Sequence, residues 1–237
     1  MSTAVVTGAS RGIGLALARA FVDRGYNVVA NARTISTSGA LPAGARTALV
    51  DGDVAQAETA RRVVEAARER FGGLDLLVNN AGIFVAKPFV EHTTADFDAL
   101  VATNLAGFFH LTRAALGLMR PRGGGHVVTI TTSLASQPIA GVPAAVSVLT
   151  KAGLNAATRA LAIEHAAEGI RFNAVAPGVV DTPMHAPESH ATLRRLHPIA
   201  RLGTVSEIVD AILYLDGASF VTGEVLHVDG GAHAGKW

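Results

Sequence analysis

Along this chain, short apolar runs alternate with longer stretches whose apolar positions repeat every three to four residues. The short runs fall at residues 4–7, 27–30, 47–51, 74–79, 126–131, 171–176 and 224–228, and the helical periodicity covers 13–24, 56–71, 94–119, 147–168 and 206–215. Val/Leu/Ile-rich runs suit strands buried on both faces, and their alternation with helices is the pattern of βαβ units wound into a parallel sheet. Two segments interrupt the rhythm. STSGALPAGA at 36–45 reads as a surface connection. Residues 179–202, rich in Pro and His, follow the sixth strand, and loops at the carboxyl ends of strands hold the site in such sheets, so this segment is expected to cover the substrate.

Composition narrows the picture. The 237 residues fit one domain, and 49% hydrophobic content with only 5% aromatic residues calls for a core of Ala, Val, Leu and Ile under close-packed helices. Lys and Arg number 20 against 19 Asp and Glu, without a basic run, which argues against a nucleic-acid partner. Cysteine is absent, so disulfides, thiolate catalysis and Cys-ligated metals are excluded, and no metal is expected. MSTAVVTGAS has no leader character, and no stretch reaches the roughly 20 apolar residues of a membrane span. The chain is therefore expected to be soluble and cytoplasmic, with no membrane partner.

Candidate chemistry begins in VVTGASRGIGLALARAF, which sets Gly8, Gly12 and Gly14 between the first strand and an Ala/Leu helix. Glycines there permit a tight turn and let a pyrophosphate approach the N–H groups of the helix N-terminus, although any tight βα turn also uses glycine.

TGASRGIG, DGDVA, LVNNAG, ATNLAG, the helix carrying Lys151, RFNAVAPGVVDTPM and VTGEVLHVDGG occur in an order and spacing that resemble the short-chain dehydrogenase/reductase family over the full chain. The resemblance implies an α/β Rossmann fold, a doubly wound parallel seven-stranded sheet with helices on both faces, in a single domain. It also implies a nicotinamide dinucleotide and, usually, a homotetramer, with a dimer as the alternative. Small residues along 94–119 and 147–168 would serve such pairing, or simply cover the sheet.

The second strand reads VVANART, without the acid that accepts from free ribose hydroxyls, whereas Arg33 and Arg11 are placed to clasp a 2′-phosphate; NADP(H) is favoured over NAD(H). The resemblance carries Asp53 and Val54 to the adenine, Asn79, Asn80, Ala81 and Gly82 to ribose and sheet support, and Thr182 to the carboxamide. It sets Ser10, Ile13, Pro177, Gly178 and Val180 along the same cofactor. Asp53 equally suits a helix cap.

Tyrosine-dependent members of this family carry Tyr-x-x-x-Lys, an upstream Ser and an Asn on the preceding helix. Lys151 matches the lysine and Asn104 the asparagine, but Ser147 stands where the tyrosine belongs. Tyr26 and Tyr214, the two tyrosines present, lie in segments that the family keeps away from the nicotinamide. For the upstream hydroxyl Ser133 is favoured, with Thr132 the alternate, and the following loop is one or two residues longer than usual.

A phenol titrates near 10, whereas a serine hydroxyl is far too weak an acid to be tuned to neutrality, and general acid catalysis typically supplies about 10²–10⁴-fold. Three readings follow. A proton reaches a carbonyl substrate through water, Ser147, Ser133 and Lys151, or from His185. Alternatively, the substrate is an iminium that needs little acid. In the third, the chain binds NADP(H) without turnover, as a sensor or structural subunit. The substrate is expected to be small and largely apolar, from the character of SLASQPIAGVPAA.

Overall fold

The computed structural model describes residues 1–235. Seven strands, β1 (Thr3–Thr7), β2 (Asn27–Ala32), β3 (Thr47–Asp51), β4 (Leu76–Asn79), β5 (Gly125–Ile130), β6 (Ile170–Pro177) and β7 (Val225–Val228), form one sheet in the order β3-β2-β1-β4-β5-β6-β7. Every neighbouring pair is parallel. The strand pattern read from sequence is present, with ends moved by no more than about two residues.

Side-chain alternation along the strands explains the two helical layers. In β1, Ala4 and Val6 face one layer and Val5 the other, all fully buried. Ala4 and Val6 pack with α1 (Gly12–Asp23) through Leu17, Ala18 and Phe21, and with α7 (Val205–Gly217) through Ile208, Ile212 and Leu215. Val5 packs with α2 (Ala57–Phe71) through Val63 and Ala67 and with α4 (Gly107–Met119) through Leu111, Ala115 and Met119. Phe21 and Phe172 are the two rings among the largest fully buried side chains, so the core is aliphatic, as the composition requires.

The chain winds from β1 outward to β3, then returns to place β4 on the other side of β1. The connections diverge there, which opens a crevice at the carboxyl ends of β1 and β4, the place where such sheets bind ligands.

Three helical segments depart from the periodicity. Residues 94–119 divide into α3 (Thr94–Leu100), a π-helical turn (Val101–Ala106) and α4. Thr93 opens α3 with a reciprocal cap: its hydroxyl accepts from the Asp96 N–H at 3.1 Å while the Asp96 carboxylate accepts from the Thr93 N–H at 2.9 Å. Helix α5 (Ala145–Glu164) ends four residues early, and a short 3₁₀ turn (Ala166–Glu168) leads to Gly169, whose φ of 71° reverses the chain into β6. Between β6 and α7 the covering segment forms short turns and α6 (His190–Leu193). Among the described residues no helix is long and apolar enough to cross a membrane.

Candidate active site

The crevice is stitched together by the residues that end β1 and β4. Thr7 Oγ1 accepts from the backbone N–H groups of Asn80 (3.1 Å) and Ala81 (2.9 Å), and the Asn80 side chain donates back to the Thr7 carbonyl at 2.8 Å. Gly8 takes φ +65°, and a Cβ on Gly14 would lie 2.5 Å from Asn80 Nδ2 and collide with the Gly8 carbonyl. Glycine at 14 is thus required for the helix to pack against the strand end, which sets the N-terminus of α1 just after β1. Ser10 belongs to the same turn, and Ile13 packs on the core from the first turn of α1.

Arg11, at the cap of α1, and Arg33, just beyond β2, are exposed, and their guanidinium groups have no hydrogen-bond or ion-pair partner among the described residues. Asp51, the carboxylate near the ends of β2 and β3, is committed elsewhere: Ser36 donates to it through both its backbone N–H and its hydroxyl, which holds its carboxyl below the usual range. Asp53 accepts from the Ala55 N–H at 2.9 Å in the turn before α2, and Val54 is buried over Gly107.

On the other side, Pro177 ends β6 and Gly178 donates to the Val228 carbonyl at 3.1 Å. His197 Nε2 accepts from the Val179 N–H at 2.9 Å, and Val180 bridges to Gly203, so both ends of the covering segment are pinned together. That anchoring brings Thr182 against the glycine loop, where a Cβ on Gly12 would stand 3.5 Å from Thr182 Cβ.

Lys151 lies buried beside this crevice. Its Nζ donates to the Ile130 carbonyl at 2.8 Å, and burial without a carboxylate partner lowers its pKa to about 8. A Cβ on Gly82 would sit 2.9 Å from Lys151 Nζ and 3.2 Å from Asn104 Oδ1, so the glycine keeps the space before both groups open. Asn104, projected by the π-helical turn, accepts from the Ile83 N–H and donates to the Ile83 carbonyl, each at 3.0 Å, and donates to Thr150 Oγ1 at 3.0 Å. A cavity of about 10 Å³ bordered by Lys151, Asn104, Thr7, Asn79 and Thr129 is of the size that holds one water.

The remaining hydroxyls differ. Ser133 is buried, and its side chain has no hydrogen-bond partner among the described residues, whereas Thr132 accepts from the Leu134 N–H at 3.3 Å. Ser147 is fully buried, accepting from the Val85 N–H at 2.8 Å and donating to the Val85 carbonyl at 3.0 Å. His185 sits in the Thr182 turn, where burial and neighbouring His190 push its pKa down. Tyr26 donates to Asp216 at 2.6 Å beyond the opposite, amino edge of the sheet, and Tyr214 is exposed on α7. The structure thus brings Lys151, Asn104 and Gly82 together, and neither tyrosine joins them. Thr7, Val85 and His197 also shape the site, and a threonine, a valine and a histidine carry no local signal of such roles.

A family model described as enoyl-(acyl carrier protein) reductase matches residues 8–233. The chain is 39% identical over 243 residues to 3beta-hydroxysteroid dehydrogenase 1 of Eggerthella lenta, covering 97% of this chain and 92% of that protein. Its fold superposes on ElxO with NADP bound at TM-score 0.90 and 27% identity, covering 99% of both chains. The 3-ketoacyl-(acyl-carrier-protein) reductase of Brucella melitensis complexed with NADH aligns at TM-score 0.89 and 29% identity over 98% of each chain. By motif order, by the matched family model and by its seven-stranded parallel sheet, the chain belongs to the short-chain dehydrogenase/reductase family of oxidoreductases.

Proposed function

We propose that this protein is an NADP(H)-dependent reductase of a small, largely apolar carbonyl compound, with Lys151 as its proton source, and that a C=N compound reduced without that proton is the second reading. The observation that carries the reading is the buried, carboxylate-free ammonium of Lys151 beside Asn104 and Gly82 at the β1/β4 crevice.

The residues fit a dinucleotide. Gly8, Ser10, Gly12, Ile13 and Gly14 form the turn that would carry a pyrophosphate at the N-terminus of α1, and the unpartnered guanidinium groups of Arg11 and Arg33 suit a 2′-phosphate where no carboxylate competes. Asp53 and Val54 would flank the adenine, Asn80, Ala81 and Gly82 the ribose, and Pro177, Gly178, Val180 and Thr182 the nicotinamide side. A bound nicotinamide supplies or accepts the hydride.

Lys151 holds a proton that its burial makes easier to release, and a water in the cavity that it borders with Asn104 would suit its reprotonation. The uncommitted Ser133 hydroxyl is the favoured group to orient a substrate oxygen, with Thr132 the alternate. Relatives named as a hydroxysteroid dehydrogenase and a 3-ketoacyl reductase support a carbonyl substrate. The absence of a phenol from the site favours an iminium as the second reading, because hydride addition to it yields a neutral amine without a proton donor.

The test is NADPH consumption with matched ketones and cyclic imines by the wild-type protein and Lys151→Met. Ketone turnover that falls about 10²-fold or more in the variant supports the lysine route. Imine turnover that survives the substitution selects the second reading. Tight NADPH binding with no turnover of either class overturns both and leaves a dinucleotide-sensing protein. We also propose self-assembly, to a tetramer or a dimer, through the exposed Phe109 on α4 and Leu149 on α5.

A further inference from the structure

We infer that Ser147 is a positioning residue that fastens one wall of the substrate pocket, and that it does not relay protons. The wall is the irregular segment after β4, which has no strand partner for its backbone among the described residues. Its polar groups are nonetheless satisfied at every second residue: Ile83 by the Asn104 amide through both N–H and C=O, Val85 by the Ser147 hydroxyl through both N–H and C=O, and the Lys87 N–H by the Pro143 carbonyl at 2.6 Å. A spacing of two places these groups on one edge of an extended chain. An amide on the π-helical turn, a hydroxyl on α5 and a loop carbonyl together take the place of a neighbouring strand.

A hydroxyl has one proton to give, and that of Ser147 is donated to the Val85 carbonyl. Passing it to a substrate would break the bond and leave a partly buried carbonyl unpaired. The Ser147 side chain is fully enclosed, and the Val85 backbone lies 2.8 Å from its oxygen, so a tyrosine ring at 147 would have to displace the wall. Serine at this position therefore marks a rebuilt pocket wall. The inference rests on the proposed site only in taking Lys151 to flank the substrate, since the wall itself is read from hydrogen bonds.

Amide exchange and kinetics test it together. In the wild-type protein the Ile83 and Val85 amides are expected to exchange at least tenfold more slowly than unprotected loop amides, and in Ser147→Ala the Val85 amide is expected to lose about tenfold of that protection. With the better substrate of the panel, Ser147→Ala is expected to raise KM about five- to tenfold while kcat and its pH profile are kept. Unprotected Val85 in the wild type overturns the inference without any variant being made. So does a kcat loss of about 100-fold at unchanged KM, the signature of a relay. Ser147→Tyr is expected to strip protection from residues 83–87; gained turnover with that protection intact would also refute it. If the wild-type protein turns over nothing, the reductase reading fails while the exchange data still decide the wall.

Discussion

Lys151 sits in the fold as a cation that no carboxylate among the described residues offsets, so its ordinary value near 10.5 falls to about 8 through burial. A lowered lysine means that the unfolded chain binds more protons than the folded one between those two values. Stability is therefore expected to rise from about pH 8 to about pH 10 by something on the order of 3 kcal/mol, and the rise should vanish in Lys151→Met. Denaturant unfolding across that range checks it. The same proton predicts catalysis: with a ketone, kcat/KM for reduction should fall as pH rises through about 8, whereas an N-alkylated, permanently charged iminium substrate should show no such fall. Recognition of the cofactor is also expected to turn on single residues. Replacing both Arg11 and Arg33 by Ala should weaken NADPH binding by about 3 kcal/mol or more and leave NADH binding nearly unchanged, as read from the two dissociation constants.

Elements are held by contacts that their own sequence does not announce. Arg171, at the start of β6, donates to the carbonyls of Leu215 (2.8 Å), Asp216 (2.9 Å), Ala218 (3.2 Å) and Val221 (3.1 Å), which satisfies the C-terminal end of α7 and the turn after it. Arg171→Ala should cost about 3 kcal/mol, read as a lowered thermal midpoint, because it orphans several partly buried carbonyls at once. The π-helical turn at Val101–Ala106 is similar in kind. Its residues VATNLA continue an apolar helical rhythm, and the wider turn shows only in the structure, where it projects Asn104 toward Ile83 and Thr150. Asn104→Ala should destabilise by about 2–3 kcal/mol and, unlike Arg171→Ala, also expose the Ile83 amide to exchange.

At the scale of the whole molecule, the winding from β1 to β3 and back to β4 creates the crevice, and the anchoring of residues 178–180 by His197 and Gly203 lays Thr182 across it. Apolar side chains left exposed on α4 and α5 are expected to be covered by a second copy. Sedimentation should show an oligomer, and Phe109→Glu should shift it toward a smaller species.

The alternating strands and helices, the glycine turn, the acid-free end of β2 and the lack of a tyrosine four residues before Lys151 are all legible in the linear order of residues. Each of these is a local pattern or a contiguous motif, written in periodicity and spacing. Only the tertiary structure decided that Ser147 binds Val85, 62 residues away, that Asn104 pairs with Ile83, and that Lys151 is buried without a counter-ion. Those facts depend on which backbone groups would otherwise be left unpaired once distant segments pack, and no local pattern of residues encodes that.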